Sequence, residues 1–398
     1  MRIGIGISQK SDIISALQEV IKQAKKQLTG ERPNIGFIFT SMEFASPVIL
    51  KTLNLYFPQV PIVGATTLAI PFNSRIYRRS LILCLISSEN LKVAVAAAKD
   101  IKKKTAFVAG QELGIQLLKN FGYQKRNFAM LFCDGLLEEG SKFLAGLQEK
   151  LGTSFPIAGA SASDNLRFKQ TYLYFNNELI TDAAVGILWG GKIKFNMSIH
   201  HGWKPLGKTR RVTKSKGNLL IEIDNQPAAN FYKEYFAKEM PLLKKDLKYI
   251  STLYPIGLYL EGEKEYILRN IIAIEEDGSL ICQGDVPQDS IIRIMIGTKD
   301  SCLSATRQTA EDLVKASPAI TLSKNNIDVI FIFDSVSRYI LLKRSAEEEL
   351  KTIQETVPKE INLFGLYTYG EQAPLKAITY EGKTYFHNQS IVLTAVGE

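Results

Sequence analysis

The sequence predicts a mixed α/β fold in which repeated strand–helix–strand units form mixed sheets flanked by helices, in two related domains. Hydrophobic residues make up 45% of the 398 residues and charged residues 22%, which is a globular composition with enough apolar material for a sizeable core. A unit also recurs along the chain: an apolar strand, a polar loop, an amphipathic helix, and then a proline and a glycine before a small-residue turn. Strands joined through helices are typical of α/β and α+β architectures.

The recurring unit is found three times, which indicates an internal repeat. Its copies run from NIGFIFTS (34–41) to PIVGATT (61–67), from NFAMLFCDG (127–135) to PIAGASASD (156–164), and from IDVIFIFDS (327–335) to INLFGLYTYGE (361–371). We expect Gly64, Gly159 and Gly365 in turns after strands, where backbone N–H groups are open to a ligand. The alternative is the strand–helix periodicity that any α/β protein shows.

The predicted domain boundary lies in a segment rich in Gly, Lys, Arg and Thr, HHGWKPLGKTRRVTKSKGN (200–218). Such a composition indicates a connector or an exposed hairpin. We place the boundary near residue 215, which gives domains at 1–215 and 216–398. LKVAVAAAKD (91–100) and IIRIMIGTKD (291–300) each put a strand and a Lys-Asp pair before a helix, which suggests that the two halves are related.

The cysteine and histidine content bears on compartment and on metal binding. The four cysteines are widely separated and mostly lie in apolar strands: Cys84, Cys133, Cys282 and Cys302. Buried thiols of this kind suit a reducing compartment, so we expect a cytoplasmic location. Only three histidines exist and no cysteine pair has zinc-site spacing, so we expect no metal site.

The charge balance is basic, with 49 Lys and Arg against 40 Asp and Glu and a pI near 9.1. The positive charge is dispersed in short clusters without aromatic interleaving, so nucleic-acid binding is not expected. Apolar runs such as LILCLI (81–86) are far too short to span a bilayer, and the first residues do not form a signal peptide. We therefore expect no membrane insertion.

Several motifs in order along the chain resemble a known family. They are FCDGL, PIAGASASD, HHGWKPLG and VTKSKGNLLIEIDNQPA in the first part, and YPIGLYLEGEKEYILRNI, DGSLICQGDVP, FDSVSR, LFGLYTYGEQAP and YFHNQS in the second. Across roughly residues 30 to 396 the chain resembles the FIST proteins, a bacterial and archaeal sensory family with a FIST N-terminal and a FIST C-terminal domain. The chain departs from the family pattern at Ala160, where a second glycine is typical, and at Ser335, where a cysteine is common.

The resemblance implies an intracellular sensor rather than an enzyme. Its ligand would be a small molecule, such as an amino acid or a similar metabolite. Its partner would be a separate signalling protein, such as a histidine kinase, a cyclase or a chemoreceptor.

Charged side chains beside the recurring glycines could hold the ammonium and carboxylate groups of a zwitterion, and arginine can hold a carboxylate with two bonds. The candidate ligand-binding residues are Ser161, Asp164, Arg269, Arg338, Tyr369 and Glu371. Asp164 and Glu371 could instead brace turns by accepting backbone N–H bonds. Arg269 lies in an apolar strand and could form a structural ion pair, and Arg338 could begin a helix on its solvent side.

His387 and Asn388 complete the candidate ligand-binding set. They are neighbours along a strand, so alternation predicts that one of them, and hardly both, faces inward. A hydrogen-bonded core or edge histidine is the simpler interpretation of His387.

Three other functions are weighed against the sensor. An enzyme would use Cys133 or Ser335 at a strand end as a nucleophile, but neither has an obvious base in the sequence. A haem-binding nitric oxide sensor, reported among relatives of the family, would need an axial ligand from His200, His201 or His387. A scaffold protein would use the same glycines and charges only to build the fold.

Overall fold

The structure is a computed structural model that describes residues 1–236, 240–260, 265–315, 327–375 and 382–398, with the side chain of residue 248 left aside. Part of the motif YPIGLYLEGEKEYILRNI, residues 261–264, lies outside the described residues. The helices are α1 (Ile13–Leu28), α2 (Pro47–Tyr56), α3 (Ala106–Phe121), α4 (Gly140–Leu151), α5 (Ala229–Phe236), α6 (Met240–Leu253), α7 (Lys299–Val314), α8 (Val336–Leu342) and α9 (Ala346–Thr356). Short 3-10 turns are at Met42–Phe44, Ile101–Lys103 and Lys343–Ser345.

Three six-stranded sheets share one strand order. Sheet I contains, in spatial order, β1 (Arg2–Ser8), β6 (Leu81–Ser87), β2 (Ile35–Thr40), β3 (Ile62–Thr66), β10 (Leu173–Phe175) and β11 (Glu178–Ile180). Sheet II contains β7 (Leu91–Ala98), β12 (Ala184–Gly191), β8 (Arg126–Cys133), β9 (Ile157–Ser161), β24 (Gly370–Pro374) and β25 (Thr384–His387). Sheet III contains β13 (Lys194–His200), β26 (Ile391–Gly397), β22 (Val329–Ser335), β23 (Asn362–Thr368), β4 (Ile70–Phe72) and β5 (Arg75–Tyr77).

A fourth sheet is inserted between β13 and α7. Sheet IV contains β18 (Ile267–Arg269), β17 (Ile256–Tyr259), β21 (Ile291–Ile296), β14 (Lys204–Lys216), β15 (Leu219–Ile223), β20 (Leu280–Cys282) and β19 (Ile271–Ile274), with β16 (Gln226–Pro227) paired to β15. The segment predicted as a connector or hairpin therefore forms β14, which pairs with β15. The proposed boundary near residue 215 falls inside β14 and stays a proposal.

The expected fold class is confirmed: the sheets are mixed and are flanked by helices. In each of sheets I to III one central pair is parallel, β2 with β3, β8 with β9 and β22 with β23, and the other pairs are antiparallel. Each parallel pair is joined through helices, as a crossover between parallel strands requires. These pairs hold the three sequence copies. That the copies share a common origin stays a prediction.

The second sequence similarity does not mark equivalent positions. LKVAVAAAKD forms β7 at the edge of sheet II, whereas IIRIMIGTKD contains β21 in the interior of sheet IV. A β-strand followed by a helix is common enough to produce such a likeness without structural equivalence.

Each of the three sheets is completed by a hairpin from another part of the chain. The hairpin after β3 joins sheet III, the hairpin after β9 joins sheet I, and the hairpin after β23 joins sheet II. The three sheets enclose one aromatic core. Phe37 of sheet I lies 5.0 Å from Phe331 of sheet III and 5.9 Å from Trp189 of sheet II, between ring centroids. The strand exchange and this shared core bind the three sheets into one unit.

Helices cover the edge strands closely. A Cβ added at Gly4 or Gly6 of β1 would lie 2.4 Å from the Ala24 carbonyl oxygen or 2.2 Å from that of Val20, both on α1. Helix α1 begins at Asp12, whose carboxylate accepts the Ser15 N–H at 2.7 Å, as expected of an N-cap. None of the helices in the described ranges is long and apolar enough to cross a membrane.

The three recurring glycines are not in turns, contrary to the prediction. Gly64, Gly159 and Gly365 lie inside β3, β9 and β23, paired across the sheet with Ile38, Leu131 and Ile332. A Cβ at these three positions would lie 1.8, 2.4 and 1.7 Å from the carbonyl oxygens of those partners. Glycine is needed because the neighbouring strand backbone approaches so closely, and not because a turn requires it.

Replacing Gly365 by Ala should lower the free energy of unfolding by about 3 kcal/mol, because overpacking against a backbone atom forces the strands apart. Urea unfolding followed by circular dichroism measures the change. Gly30→Ala is the control, because a Cβ there meets nothing within 4 Å and only its φ of +91° is strained, a cost of about 1 kcal/mol. Equal losses in the two variants would contradict the close packing of β22 and β23.

Candidate functional site

A cavity of about 640 Å³ lies where three of the parallel strands end. Ser161, Ser335 and Thr368 are the last residues of β9, β22 and β23, and all three line the cavity. Helix α6 and sheet IV form the opposite wall, through Leu247, Ser251, Thr252, Asn270, Ile271, Ile272, Cys282, Gln283 and Gly284. Apolar and aromatic side chains complete the lining: Leu136, Leu137, Leu166, Phe168, Val336, Ile340, Tyr369 and Phe386. A largely apolar cavity with a few convergent polar groups is the usual form of a small-molecule site.

The strand ends at this cavity are locked to each other. Thr368 Oγ1 donates to the Ser161 carbonyl oxygen at 2.6 Å and accepts the Ser161 N–H at 3.0 Å. The Gln372 side-chain amide donates to Ser161 Oγ at 3.3 Å. The position of the Ser161 hydroxyl is therefore set by neighbours from β23 and β24.

A chain of side-chain amides connects the walls of the cavity. Asn270 Nδ2 donates to Gln283 Oε1 at 3.1 Å, and Gln283 Nε2 donates to the Tyr369 carbonyl oxygen. Gln389 Nε2 donates to the Asn270 side-chain oxygen and to the carbonyl oxygens of Ser251 and Thr252 at the end of α6. The end of α6 is thereby tied to the strands that carry the cavity.

Charged side chains surround the mouth of the cavity. Lys102, Lys244 and Lys245 line it and are exposed, together with the exposed Glu138. Three cations against one anion give the mouth a net positive charge, which favours the approach of an anionic ligand.

Asp164 braces the loop at 164–170. Its carboxylate accepts the backbone N–H groups of Arg167, Phe168, Lys169 and Gln170 at 2.9 to 3.4 Å and the Tyr369 hydroxyl at 2.5 Å. Burial raises the pKa of Asp164, but these hydrogen bonds outweigh burial and hold the pKa below its ordinary value. The bracing role that the sequence offered as an alternative is what the geometry supports.

Arg338 is buried in the core and does not line the cavity. It is 0% exposed, so its placement on the solvent side of a helix is wrong. Its guanidinium contacts Asp334 Oδ1 at 3.1 Å and bonds to Glu349 and to the His201 carbonyl oxygen. These bonds satisfy a buried cation within the protein, as a structural ion pair does.

Glu371 lies beside this ion cluster and is also fully buried. Its Oε2 accepts the Ser390 hydroxyl at 2.7 Å and the Ser390 N–H at 3.1 Å, while Oε1 has no hydrogen-bond partner. Burial raises the pKa of Glu371 to about 8, partly opposed by Ser390 and Arg338. Burial and the neighbouring Glu349 also raise the pKa of Asp334 well above its ordinary value. Near neutral pH these carboxyl groups hold protons.

Arg269 bonds to backbone carbonyl groups, namely those of Asp285, Leu268 and Phe386 at 2.9 to 3.0 Å. Burial lowers the pKa of Arg269 to about 10. The guanidinium therefore holds β18 against β25 and the chain after β20, although the sequence favoured a carboxylate or ligand partner.

His387 and Asn388 are both buried, at 3% and 1% exposed, so the expectation that hardly both face inward is wrong. Strand β25 ends at His387, and the alternation does not continue to Asn388. His387 Nε2 is 2.9 Å from the Ala373 carbonyl oxygen, and burial lowers the pKa of His387 to about 3. Asn388 accepts the Asn270 N–H at 3.4 Å and so supports a cavity residue.

Of the candidate residues, Ser161 and Tyr369 line the cavity, and Asp164, Asn388 and Arg269 contact the elements around it. Sequence reasoning missed the amide pair Asn270 and Gln283, the aromatic Phe168 and the lysines of α6. The short basic cluster at 244–248 was the one sequence signal for this wall.

The bracing role of Asp164 can be measured. Asp164→Asn should speed amide hydrogen exchange at residues 167–169 about 10- to 100-fold, because hydrogen bonds to a charged group are worth about 1.5–3 kcal/mol. Asn165→Ala is the control on the same loop, since the Asn165 side chain donates only to Glu43 at the surface. Exchange rates in Asp164→Asn that match the control would contradict a loop held by this carboxylate.

The buried Glu371 predicts a pH dependence of stability. Its pKa of about 8 exceeds its ordinary value of 4.5, so between these values the folded protein binds more protons and the free energy of unfolding falls as pH rises. His387 acts in the opposite direction, but only below its ordinary value of 6.5. Between pH 6.5 and 8, Glu371→Gln should therefore reduce the fall, by at most about 1.4 kcal/mol per pH unit.

Urea titrations at several pH values measure this slope. Glu348→Gln, at an exposed position on α9, is the control. A slope in Glu371→Gln that equals the slope of the control would mean that Glu371 is ionised in the folded protein near neutral pH.

Comparisons with known proteins agree along the chain. A family model for the FIST N domain matches residues 34–226, and one for the FIST C domain matches residues 228–374. An uncharacterised protein of Methanocaldococcus jannaschii is 25% identical over 280 residues, which is 64% of this chain and 52% of that protein. The chain thus spans about half the length of that relative.

Other relatives are more distant but more fully covered. An uncharacterised protein of Mycobacterium tuberculosis is 21% identical over 328 residues, 78% of this chain and 82% of the relative. One of Mycobacterium bovis is 22% identical over 394 residues, 94% and 95% of the two chains. A solved structure of cyanuric acid hydrolase covers 100% of both chains with a TM-score of 0.39 and 8% identity, a likeness too loose to carry an argument.

The two family matches together span residues 34–374 apart from residue 227 and so cover most of the sequence. The chain belongs to the FIST family.

Proposed function

We propose that this chain is an intracellular sensor that binds a small, amino-acid-like metabolite in the cavity and passes its state to a separate signalling protein. FIST domains are generally sensory domains of signal transduction proteins. A histidine kinase, a cyclase or a chemoreceptor is the expected class of partner.

The cavity is the observation that carries the proposal. Its lining comes from both matched domains: Ser161 and Phe168 belong to the FIST N match, and Asn270, Gln283 and Thr368 to the FIST C match. A ligand that contacts both sets stabilises one arrangement of the two, which is the differential affinity that any switch needs.

The charge of the mouth supports a ligand with a carboxylate group. Lys244 and Lys245 on α6 and Lys102 after β7 can hold a carboxylate at the entrance, while the serine and threonine hydroxyls and the amides can bond to polar groups inside. The volume of about 640 Å³ is within the usual range for small-molecule sites.

Helix α6 is the element through which we expect ligand binding to be transmitted. It lines the cavity with Lys244, Lys245 and Leu247, and its end is tied to Gln389 and the amide chain. A ligand held by these lysines would change the position or the mobility of α6 relative to the strand ends, which a partner can read.

The haem alternative does not fit the residues at this cavity. His200 bonds to Glu265 and to Asp312 at 2.9 Å, and His387 bonds to the Ala373 carbonyl group. His201 is buried, and its Nδ1 accepts the Trp203 N–H. None of the three histidines lines the described cavity, so an axial ligand would have to leave its present partners.

The enzyme alternative is reduced to Ser335. Burial and the neighbouring Asp134 raise the pKa of Cys133, which keeps it in the unreactive thiol form. Ser335 lines the cavity, but its hydroxyl accepts the Ser337 N–H at 3.3 Å as the N-cap of α8. An N-cap role accounts for this side chain without a reaction.

Thermal-shift measurements against amino acids and related carboxylates test the proposal. A ligand at 100 times its dissociation constant stabilises the protein by about 2.7 kcal/mol, which raises the melting temperature measurably. Lys244→Gln with Lys245→Gln should weaken binding of a carboxylate several-fold at low salt, because exposed charge pairs contribute about 0.2–1 kcal/mol each.

Lys22→Gln with Lys26→Gln is the matched control, since both lysines are exposed on α1, away from the cavity. Equal affinity in the α6 variant, the control and the unaltered protein would remove the lysines from the site. No shift with any amino acid or carboxylate would overturn the proposed ligand class.

A further inference from the structure

We propose that Phe168 is a stacking platform, and that the ligand therefore carries a planar aromatic or heteroaromatic ring together with its carboxylate. This inference rests on the proposed function, because it concerns the same cavity and adds the chemical class of the ligand. It assigns the ring to Phe168 and the carboxylate to the lysines of the mouth.

Phe168 is unusually exposed for a large aromatic side chain that lines a cavity. It is 48% exposed, yet its ring is stacked on the ring of Tyr369 with centroids 4.5 Å apart and planes 15° apart. Tyr369 itself is only 6% exposed, so it backs Phe168 from the protein side. An aromatic ring fixed from behind and open to the cavity is suited to stack with a second planar ring.

The loop that carries Phe168 is held in an unfavourable conformation. Leu166 has φ +61° and Phe168 has φ +51°, a region that residues other than glycine rarely adopt. Strain of this kind persists only where the surroundings enforce it, and it clusters at ligand sites. Here the enforcing group is the Asp164 carboxylate, with its backbone N–H bonds to residues 167–170.

Asp164 and Tyr369 are positioning residues in this arrangement. The Tyr369 hydroxyl donates to Asp164 Oδ1 at 2.5 Å, so one carboxylate fixes both the loop and the ring behind Phe168. Both residues were candidate ligand contacts from the sequence. The hydrogen bonds instead direct them toward each other, and Phe168 is left as the group that meets the ligand.

The remaining lining fits a ring at this place. Leu137, Leu166 and Ile340 give an apolar surround, whereas the hydroxyl and amide groups lie at the strand ends and on sheet IV. A flat ring on Phe168 would keep its polar substituents directed toward Ser161, Asn270 or Gln283.

Matched probes that differ only in planarity test the platform. L-phenylalanine is compared with L-cyclohexylalanine, and 3-phenylpropionate with 3-cyclohexylpropionate, by isothermal titration calorimetry on the full chain. Stacking should make the planar member of a pair bind about three- to tenfold more tightly. Phe168→Leu should abolish that ratio, while Phe107→Leu, at a partly exposed position on α3, should preserve it.

A second variant gives an independent readout. Phe168→Trp places an indole at the platform, and the two native tryptophans, Trp189 and Trp203, are buried at 0% and 2% exposure. We expect the emission of Phe168→Trp to change on addition of the planar probe and to stay constant with the saturated one.

The outcomes separate this inference from the proposed function. Equal affinities of planar and saturated probes, with no effect of Phe168→Leu, would overturn the platform and leave a carboxylate sensor in place. Binding of aliphatic carboxylates alone would do the same. No binding of any carboxylate would overturn the platform and the proposed function together.

Discussion

The structure depends on the exchange of hairpins among three sheets. Because each parallel strand, β3, β9 or β23, leads directly into a hairpin that completes another sheet, none of the three sheets is complete without a second part of the chain. The aromatic core formed by Phe37, Trp189 and Phe331 has the same property, since each ring comes from a different sheet. Burial of such rings gives several kcal/mol per residue only when all three sheets are assembled.

This arrangement also creates the candidate site. The strands β9, β22 and β23 end together, and their last residues bring hydroxyl groups to one place, where sheet IV and α6 close the cavity. The buried ions lie beneath it: Arg338, Asp334 and Glu349 bond to each other, with Glu371 close by. Satisfying these buried charges inside the protein makes the floor rigid. The walls that carry Lys244 and Phe168 are a helix and a loop, which is where ligand-dependent change is expected.

The sequence was sufficient for the class of fold because the strand–helix–strand periodicity is strong. It was not sufficient for the sheet order, since an exchanged hairpin pairs residues more than a hundred positions apart, as Leu173 with Ala65. Ser161 and Tyr369 were predicted correctly as neighbours of a strand end that lies at the cavity. Arg338 and Glu371 were chosen for their charge, and only the structure reveals that their partners are other buried residues. Phe168 was missed because its exposure and its positive φ are set by Asp164 through backbone bonds that no sequence pattern specifies.

The central claim is that the cavity at the strand ends is where this FIST chain binds its ligand. Hydrogen exchange measured by mass spectrometry, with and without the carboxylate that gives the largest thermal shift, tests it most directly. The account predicts added protection in residues 164–170, 244–253 and 268–272, which surround the cavity, and unchanged exchange in α1 and α2. Protection confined to α1, α2 or another surface away from the cavity would contradict it.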